Sequence, residues 1–158
     1  SILVPDPATG ELVFVMVRGD EPSNELLGRR LRPGEGIAGW TALKRRAAIV
    51  NNVSADDRFF AGVDQDLKYR TRSILAVPVI GGNKLLAVIE VLNKRDGRLF
   101  SVGNKTLLGL MCRFAGEVLY SLVRDADLSK TGALIGAQRY SSASNPLLAA
   151  GDDTGTQS

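Results

Sequence analysis

Between Ser73 and Lys94 the chain reads SILAVPVI, then Gly81-Gly82-Asn83, then KLLAVIEVLNK. Two β-branched apolar runs joined by so short a glycine-rich link form an antiparallel hairpin. Whatever else the chain does, it must build a sheet around this pair. Pro78 marks either an edge position or a bulge, because it cannot donate to a ladder.

The rest of the sequence supplies partners for the hairpin. SILVPDPATGELVFVMVRG reads as a second hairpin, with strands at Ile2 to Val4 and Leu12 to Val17 around a Pro/Asp/Gly turn. The second strand is apolar throughout, the pattern of a strand buried on both faces. A short strand is expected at Arg29 to Arg32 and another within Ala47 to Val53. Between them a helix spans about Ile37 to Lys44, with Ile37, Trp40 and Leu43 on one apolar face. Trp40 is expected in the core.

Ser101 to Asp125 is the longest helical pattern, with Ser101 as its cap. Its apolar positions run from Leu107 and Leu108 through Met111, Phe114 and Val118 to Leu122 and Val123. Opposite them lie Thr106, Gly109, Arg113, Gly116, Tyr120 and Arg124. Phe114 reads as core, and Cys112 as a buried structural thiol. The apolar stripe is wider than one core face needs, which points to a second partner and favours another subunit. Residues 1–125 therefore form one domain. Residues 126–158, rich in Gly, Ala, Ser, Thr and Asp, read as a low-complexity, disordered tail.

Composition removes several functions. The chain contains no histidine and one cysteine. A Ser-His-Asp or Cys-His arrangement, an imidazole-ligated haem and an ordinary zinc site are thereby excluded. No phosphate-cradling Gly-x-x-x-x-Gly-Lys loop occurs, and no carboxylate pair is spaced for acid/base work. The expectation is that the chain is not an enzyme and carries no cofactor. No apolar run approaches the roughly 20 residues of a bilayer span, so no membrane partner is expected. A lone cysteine and the lack of a signal peptide fit a cytoplasmic setting. The net charge of +3 comes from scattered basic residues, not the dense aromatic-interleaved stripe of a nucleic-acid binder.

Two features bear on a site. Five charged residues (Asp64, Asp66, Lys68, Arg70 and Arg72) crowd ahead of the main hairpin. Glu90 stands inside the run LLAVIEVL, where a carboxylate must find water, a partner or a ligand. By strand alternation it shares a face with Val88 and Leu92.

Strands, helix, hairpin and a long last helix make an α+β domain on a largely antiparallel sheet. Within it, Gly36-Ile37-Ala38-Gly39-Trp40, Arg70-Thr71-Arg72-Ser73-Ile74-Leu75 and Glu90-Val91-Leu92-Asn93-Lys94 together resemble the GAF domain family. The closest flavour is that of the regulatory domains of cyclic-nucleotide phosphodiesterases and bacterial signalling proteins. The resemblance covers about Ser1 to Asp125. It implies a GAF-like six-stranded antiparallel sheet with helices on one face and a ligand pocket on the other. It also implies a homodimer through terminal helices. The helix that normally precedes the first strand is missing from these residues.

The resemblance further implies a small, anionic or nucleotide-like ligand, a cyclic nucleotide among the candidates. The backbone amides of Ile37 and Ala38 would lie near its phosphate. Phe60 and Asp64 would belong to a lid, Thr71 would offer a hydroxyl, and Glu90 an acid on the pocket strand. Arg18 stands where the family carries a base-reading acid, and with the lid cations it favours an anion. The family's Asn-Lys-Phe-Asp-Glu pattern persists as Asn93, Lys94 and Phe100, with Asn104 and Lys105 in place of its acids. A ligand-free dimerisation module is the alternative, and direct contact of the basic residues with nucleic acid the weaker one.

Overall fold

The computed structural model describes residues 1–19, 24–59 and 70–142, with side chains through residue 126. Phe60, Asp64 and the charged segment up to Tyr69 lie outside the described residues, as do residues 143–158. Six strands form one sheet: β1 (Ile2–Pro5), β2 (Leu12–Met16), β3 (Arg30–Leu31), β4 (Ala48–Val50), β5 (Ile74–Gly81) and β6 (Lys84–Leu92). Their order is β3-β2-β1-β6-β5-β4 and every neighbour pair is antiparallel. The expected six-stranded GAF-like sheet is therefore present.

The β5–β6 hairpin is its longest ladder, running from Ile74↔Leu92 to Gly81↔Lys84. Its two-residue turn puts Gly82 and Asn83 at φ of +52° and +60°, as a type I′ turn requires. Pro78 occupies a central strand yet breaks little. The β4 ladder stops at Ala48↔Ala76, so Pro78 has one ladder neighbour, and a bulge follows at Val79/Ile80.

Alternation along the strands sorts side chains onto two faces. Leu3, Ile74, Ala76 and Val88 join a cluster with Ile37 and Ala38 of helix α1 (Gly36–Lys44). Leu75, Val77, Val79 and Ala87 join a second cluster with Phe100 and with Leu108 and Cys112 of helix α2 (Val102–Ser142). The sheet thus lies between α1 and the first turns of α2.

Several local expectations differ from the fold. Leu43 of α1 is 64% exposed, and the buried face of that helix is Ile37, Ala38, Gly39 and Thr41. Leu12 and Phe14 are buried, but Val15 and Met16 on the same strand are exposed, so β2 is not covered on both sides. Helix α2 does not end at Asp125 but continues to Ser142. Extending an existing helix adds one hydrogen bond per residue without a new nucleus, and Leu, Ala, Lys and Gln in this stretch favour it.

The chain divides into two compact units, Ser1–Tyr120 and Ser121–Ser158. Within the first, α2 meets the sheet through the column Leu108, Cys112 and Gly116, while Leu107, Leu110, Met111, Phe114 and Val118 are all more than half exposed. Phe114, read as core, is 67% exposed, whereas Cys112 is buried as expected. The reason is steric. A helix approaches a sheet most closely through small side chains, and Gly116 lies directly over the backbone of Ile80. No uninterrupted apolar run of the length of a bilayer span occurs in α2, whose apolar positions are broken by Lys105, Arg113 and Glu117. Val102–Ala126 has the length and mean hydropathy of such a span, although its Leu108–Gly116 column is occupied by the sheet.

Candidate functional site

The face of the sheet under α1 carries Glu90. Glu90 sits on β6 opposite Ala76, between Val88 and Leu92 on the same face. Val88 and Ala76 are fully buried. The Glu90 backbone N–H donates to the Ser1 carbonyl at 3.0 Å, and the Ser1 hydroxyl donates to its Oε2 at 3.3 Å. Burial pushes the Glu90 carboxyl above the ordinary carboxylate range, opposed in part by the Ser1 amino group and hydroxyl.

Helix α1 begins above this face. Ile37 and Ala38 bury their side chains in the α1 cluster. Their amides belong to the first turn, which has no internal carbonyl partners. Glu35 at the N-cap makes no capping bond. Its carboxylate is turned back instead to accept from the Arg32 backbone N–H at 2.8 Å and from Arg32 Nε at 3.3 Å.

Thr41, one turn past Ile37, is fully buried, and its hydroxyl has no hydrogen-bond partner among the described residues. Sequence reading missed it. A Thr in an apolar helix turn at i+4 from a core Ile is the signal that could have found it.

Thr71 is buried and is not free. It lies in a segment fastened to β6 by Asn93. The Asn93 Oδ1 accepts from the backbone N–H groups of Arg72 at 2.8 Å and Ser73 at 3.1 Å, and its Nδ2 donates to the Arg70 carbonyl at 2.9 Å. Asn93 adopts φ +41°, a left-handed conformation that Asn tolerates better than most residues. The exit of the charged segment is thus fixed to the strand bearing Glu90.

Arg18 is exposed just past the end of β2. The register Met16↔Ile2↔Ile89 puts it at the same end of the sheet as Glu90. Trp40, expected in the core, packs on the α1 cluster but is only partly buried. Its ring carries the Arg58 guanidinium at 4.5 Å, and Asp56 grips that guanidinium at 2.6 and 2.8 Å. The structure therefore gathers Ile37, Ala38 and Glu90 on one side of the sheet. It places Thr71 at the foot of the charged segment and Arg18 at the rim.

Known proteins resemble this arrangement. The sequence profile of the GAF domain family matches residues 1–119. The alpha subunit of the rod cGMP-specific 3',5'-cyclic phosphodiesterase of Bos taurus is 33% identical over 84 residues, covering 53% of this chain and 10% of that protein. A probable 3',5'-cyclic phosphodiesterase of Caenorhabditis elegans is 33% identical over 115 residues, 73% of this chain and 15% of its own length. The chain thus spans a small part of these relatives.

Among solved structures, the GAF domain of a phosphoenolpyruvate-protein phosphotransferase from Coxiella burnetii superposes with a TM-score of 0.66 at 18% identity. The match covers 79% of this chain and 73% of that one. A free methionine-R-sulfoxide reductase from Neisseria meningitidis superposes at 0.63 and 20% identity, over 79% and 68%. This last likeness overturns the expectation that the chain is not an enzyme. The same fold is that of catalysts, so the fold does not exclude catalysis.

Proposed function

This chain belongs to the GAF domain family, and on that premise we propose that it is a regulatory, cytoplasmic module for a small anionic or nucleotide-like ligand. The ligand binds between α1 and the sheet, and its occupancy is passed to a homodimer formed through α2. The observation that carries the reading is Glu90, a carboxyl on the α1 side of the sheet beside the fully buried Ala76 and Val88 and hydrogen-bonded by the Ser1 hydroxyl. A carboxyl there offers a polar anchor in an apolar face, and burial makes it easier to protonate than an exposed one.

The uncapped first turn of α1 supports the same reading. The amides of Ile37 and Ala38 and the helix dipole favour negative charge at that end. Arg18 would screen the ligand at the rim. Thr71 would contribute its hydroxyl at the foot of the lid, to which Phe60 and Asp64 would belong. The cyclic phosphodiesterases among the relatives make cyclic nucleotides the first ligands to try.

For the dimer, Leu107, Met111, Phe114 and Val118 follow one another at spacings of four, three and four, the a/d spacing of a helical seam. A second copy presents the same spacing and so covers the stripe. A module that dimerises and binds nothing is the other reading the stripe favours.

Thermal unfolding against cyclic nucleotides, other nucleotides and small acidic metabolites separates the two. A ligand at a hundred times its Kd adds about 2.7 kcal/mol to the folded state. A stabilisation that shrinks in Glu90→Ala supports the sensor. No stabilisation by any compound, with the protein dimeric at micromolar concentration, supports the dimerisation module.

A further inference from the structure

The opposite side of the sheet carries a second feature, independent of the reading above. Between the α1–β4 connection and α2 lies an open hollow of about 420 Å³ lined by Arg46, Ala47, Lys105, Thr106, Gly109 and Arg113, with Leu110 completing it. Ala47 packs on the α2-side cluster, so this hollow is not the space under α1. Three of its seven lining residues are cations and none is an acid. None of the three has an ion-pair partner among the described residues.

Three cations converging on one hollow repel one another unless an anion lies between them. Arg30, Arg58 and Arg98 each have a carboxylate partner (Asp6 and Glu11, Asp56, and Asp96 respectively), which the three cations of the hollow lack among the described residues. The Thr106 hydroxyl donates to the Val102 carbonyl at 3.0 Å, so the donors facing the hollow are the cations. Gly109 contributes no side chain, and a Cβ added there would meet nothing within 4 Å. A mid-helix glycine without a packing reason costs roughly 1 kcal/mol relative to alanine, and here it keeps the floor open. The volume falls in the range of small-ligand sites, roughly 300–1,000 Å³.

The geometry points to a second ligand site at Arg46, Lys105 and Arg113 for a small molecule carrying a di- or triphosphate group. Two guanidinium forks match adjacent phosphates, and the lysine supplies a further point charge. The apolar floor of Ala47 and Leu110 accommodates the non-phosphate part of such a ligand. A single phosphate satisfies only part of the cluster and binds more weakly.

The test is calorimetric titration of the full chain with tripolyphosphate, and in parallel with a nucleoside diphosphate, with pyrophosphate and with inorganic phosphate. Tripolyphosphate is expected to bind with a one-to-one end point, at least tenfold tighter than inorganic phosphate, and to weaken as salt rises. Tighter binding of the nucleoside diphosphate than of pyrophosphate assigns the floor to an organic group; equal binding assigns the site to the phosphates alone. Arg46→Gln and Arg113→Gln should each weaken binding about tenfold, the loss of roughly one charge-assisted hydrogen bond. Gly109→Leu should abolish it by filling the hollow. Arg46 and Arg113 are exposed and Gly109 is half-buried, and unchanged circular dichroism with unfolding midpoints no lower than the parent's establishes that the variants are folded. Tripolyphosphate binding that is lost in Glu90→Gln and kept in Arg46→Gln would place it on the α1 side and overturn the proposal. No binding of tripolyphosphate at low salt, or binding that survives Arg46→Gln, Arg113→Gln and Gly109→Leu, overturns the proposal.

Discussion

Gly116 of α2 lies against Ile80 of β5 so closely that a Cβ on the glycine would run into the Ile80 carbonyl group. The contact is reciprocal, since a Cβ on neighbouring Gly81 would strike the Gly116 carbonyl. Backbone meets backbone, so neither side can give by rotating a side chain.

A glycine in a helix is ordinarily improved by alanine, by about 1 kcal/mol. At Gly116 the clash should reverse that sign. Gly116→Ala is expected to destabilise by about 1–3 kcal/mol, the range for overpacked cores. Gly109→Ala, with open space around it, should stabilise by about 1 kcal/mol. Urea unfolding of both variants checks the pair, and equal effects would contradict the packing described.

Asn93 holds three backbone groups of residues 70–73 through one amide. At about 0.5–1.5 kcal/mol per bond, and with a positive φ that alanine tolerates poorly, Asn93→Ala should cost about 2–4 kcal/mol. Limited proteolysis of the variant should also cut sooner near Arg70 and Arg72 than in the parent protein.

The Glu90 carboxyl has a folded-state value raised by burial. A raised acid binds its proton more tightly when folded, so it contributes stability at low pH. That contribution is lost as pH rises from the unfolded value, roughly 4.3, through the raised folded one. Glu90→Gln should remove this loss and make the protein relatively more stable at neutral pH than at pH 4. Denaturant titrations of both proteins between pH 4 and 8 check it. Identical slopes with pH would mean the carboxyl is not shifted.

Thr41 buries a hydroxyl with no partner among the described residues. Replacing it by valine keeps the shape and removes the desolvation cost, so Thr41→Val should stabilise the ligand-free protein by about 1–3 kcal/mol. If the hydroxyl serves a ligand, the same variant should lose ligand-induced stabilisation. Thermal unfolding with and without the ligand reports both effects.

Phe114 is two-thirds exposed at the centre of the α2 stripe. Phe114→Lys should leave the monomer fold intact, because the side chain makes no core contact, and should shift the protein to monomer in sedimentation equilibrium. A variant that stays dimeric would remove the α2 stripe from the interface.

Strand alternation and turn chemistry are local, so the sequence shows the sheet, its main hairpin and the faces of Val88, Glu90 and Leu92 directly. Glu90 is conspicuous for the same reason, a carboxylate in an apolar run. The face of α2 is not local. Leu107, Phe114 and Val118 look like core because apolar periodicity says only that a face is covered, not by what. The packed column through Gly116 is chosen by how near the sheet can come. The spacing from Ile37 marks Thr41 as buried, but a threonine in a helix carries no mark of whether its hydroxyl finds a carbonyl. The basic hollow joins Arg46 to residues more than fifty positions away, a proximity that only the fold creates.

The measurement that tests the account most directly is a titration of the isotopically labelled protein, followed at the backbone amides of Ile37 and Ala38. The titrant is the most stabilising compound of the panel, or cyclic GMP if none stabilises. The account predicts saturable shifts at both amides, with the same dissociation constant at Glu90 and weaker in Glu90→Ala. Amides at Ile37 and Ala38 that stay unmoved at millimolar ligand would contradict it, and would leave the α2 dimer as the domain's function.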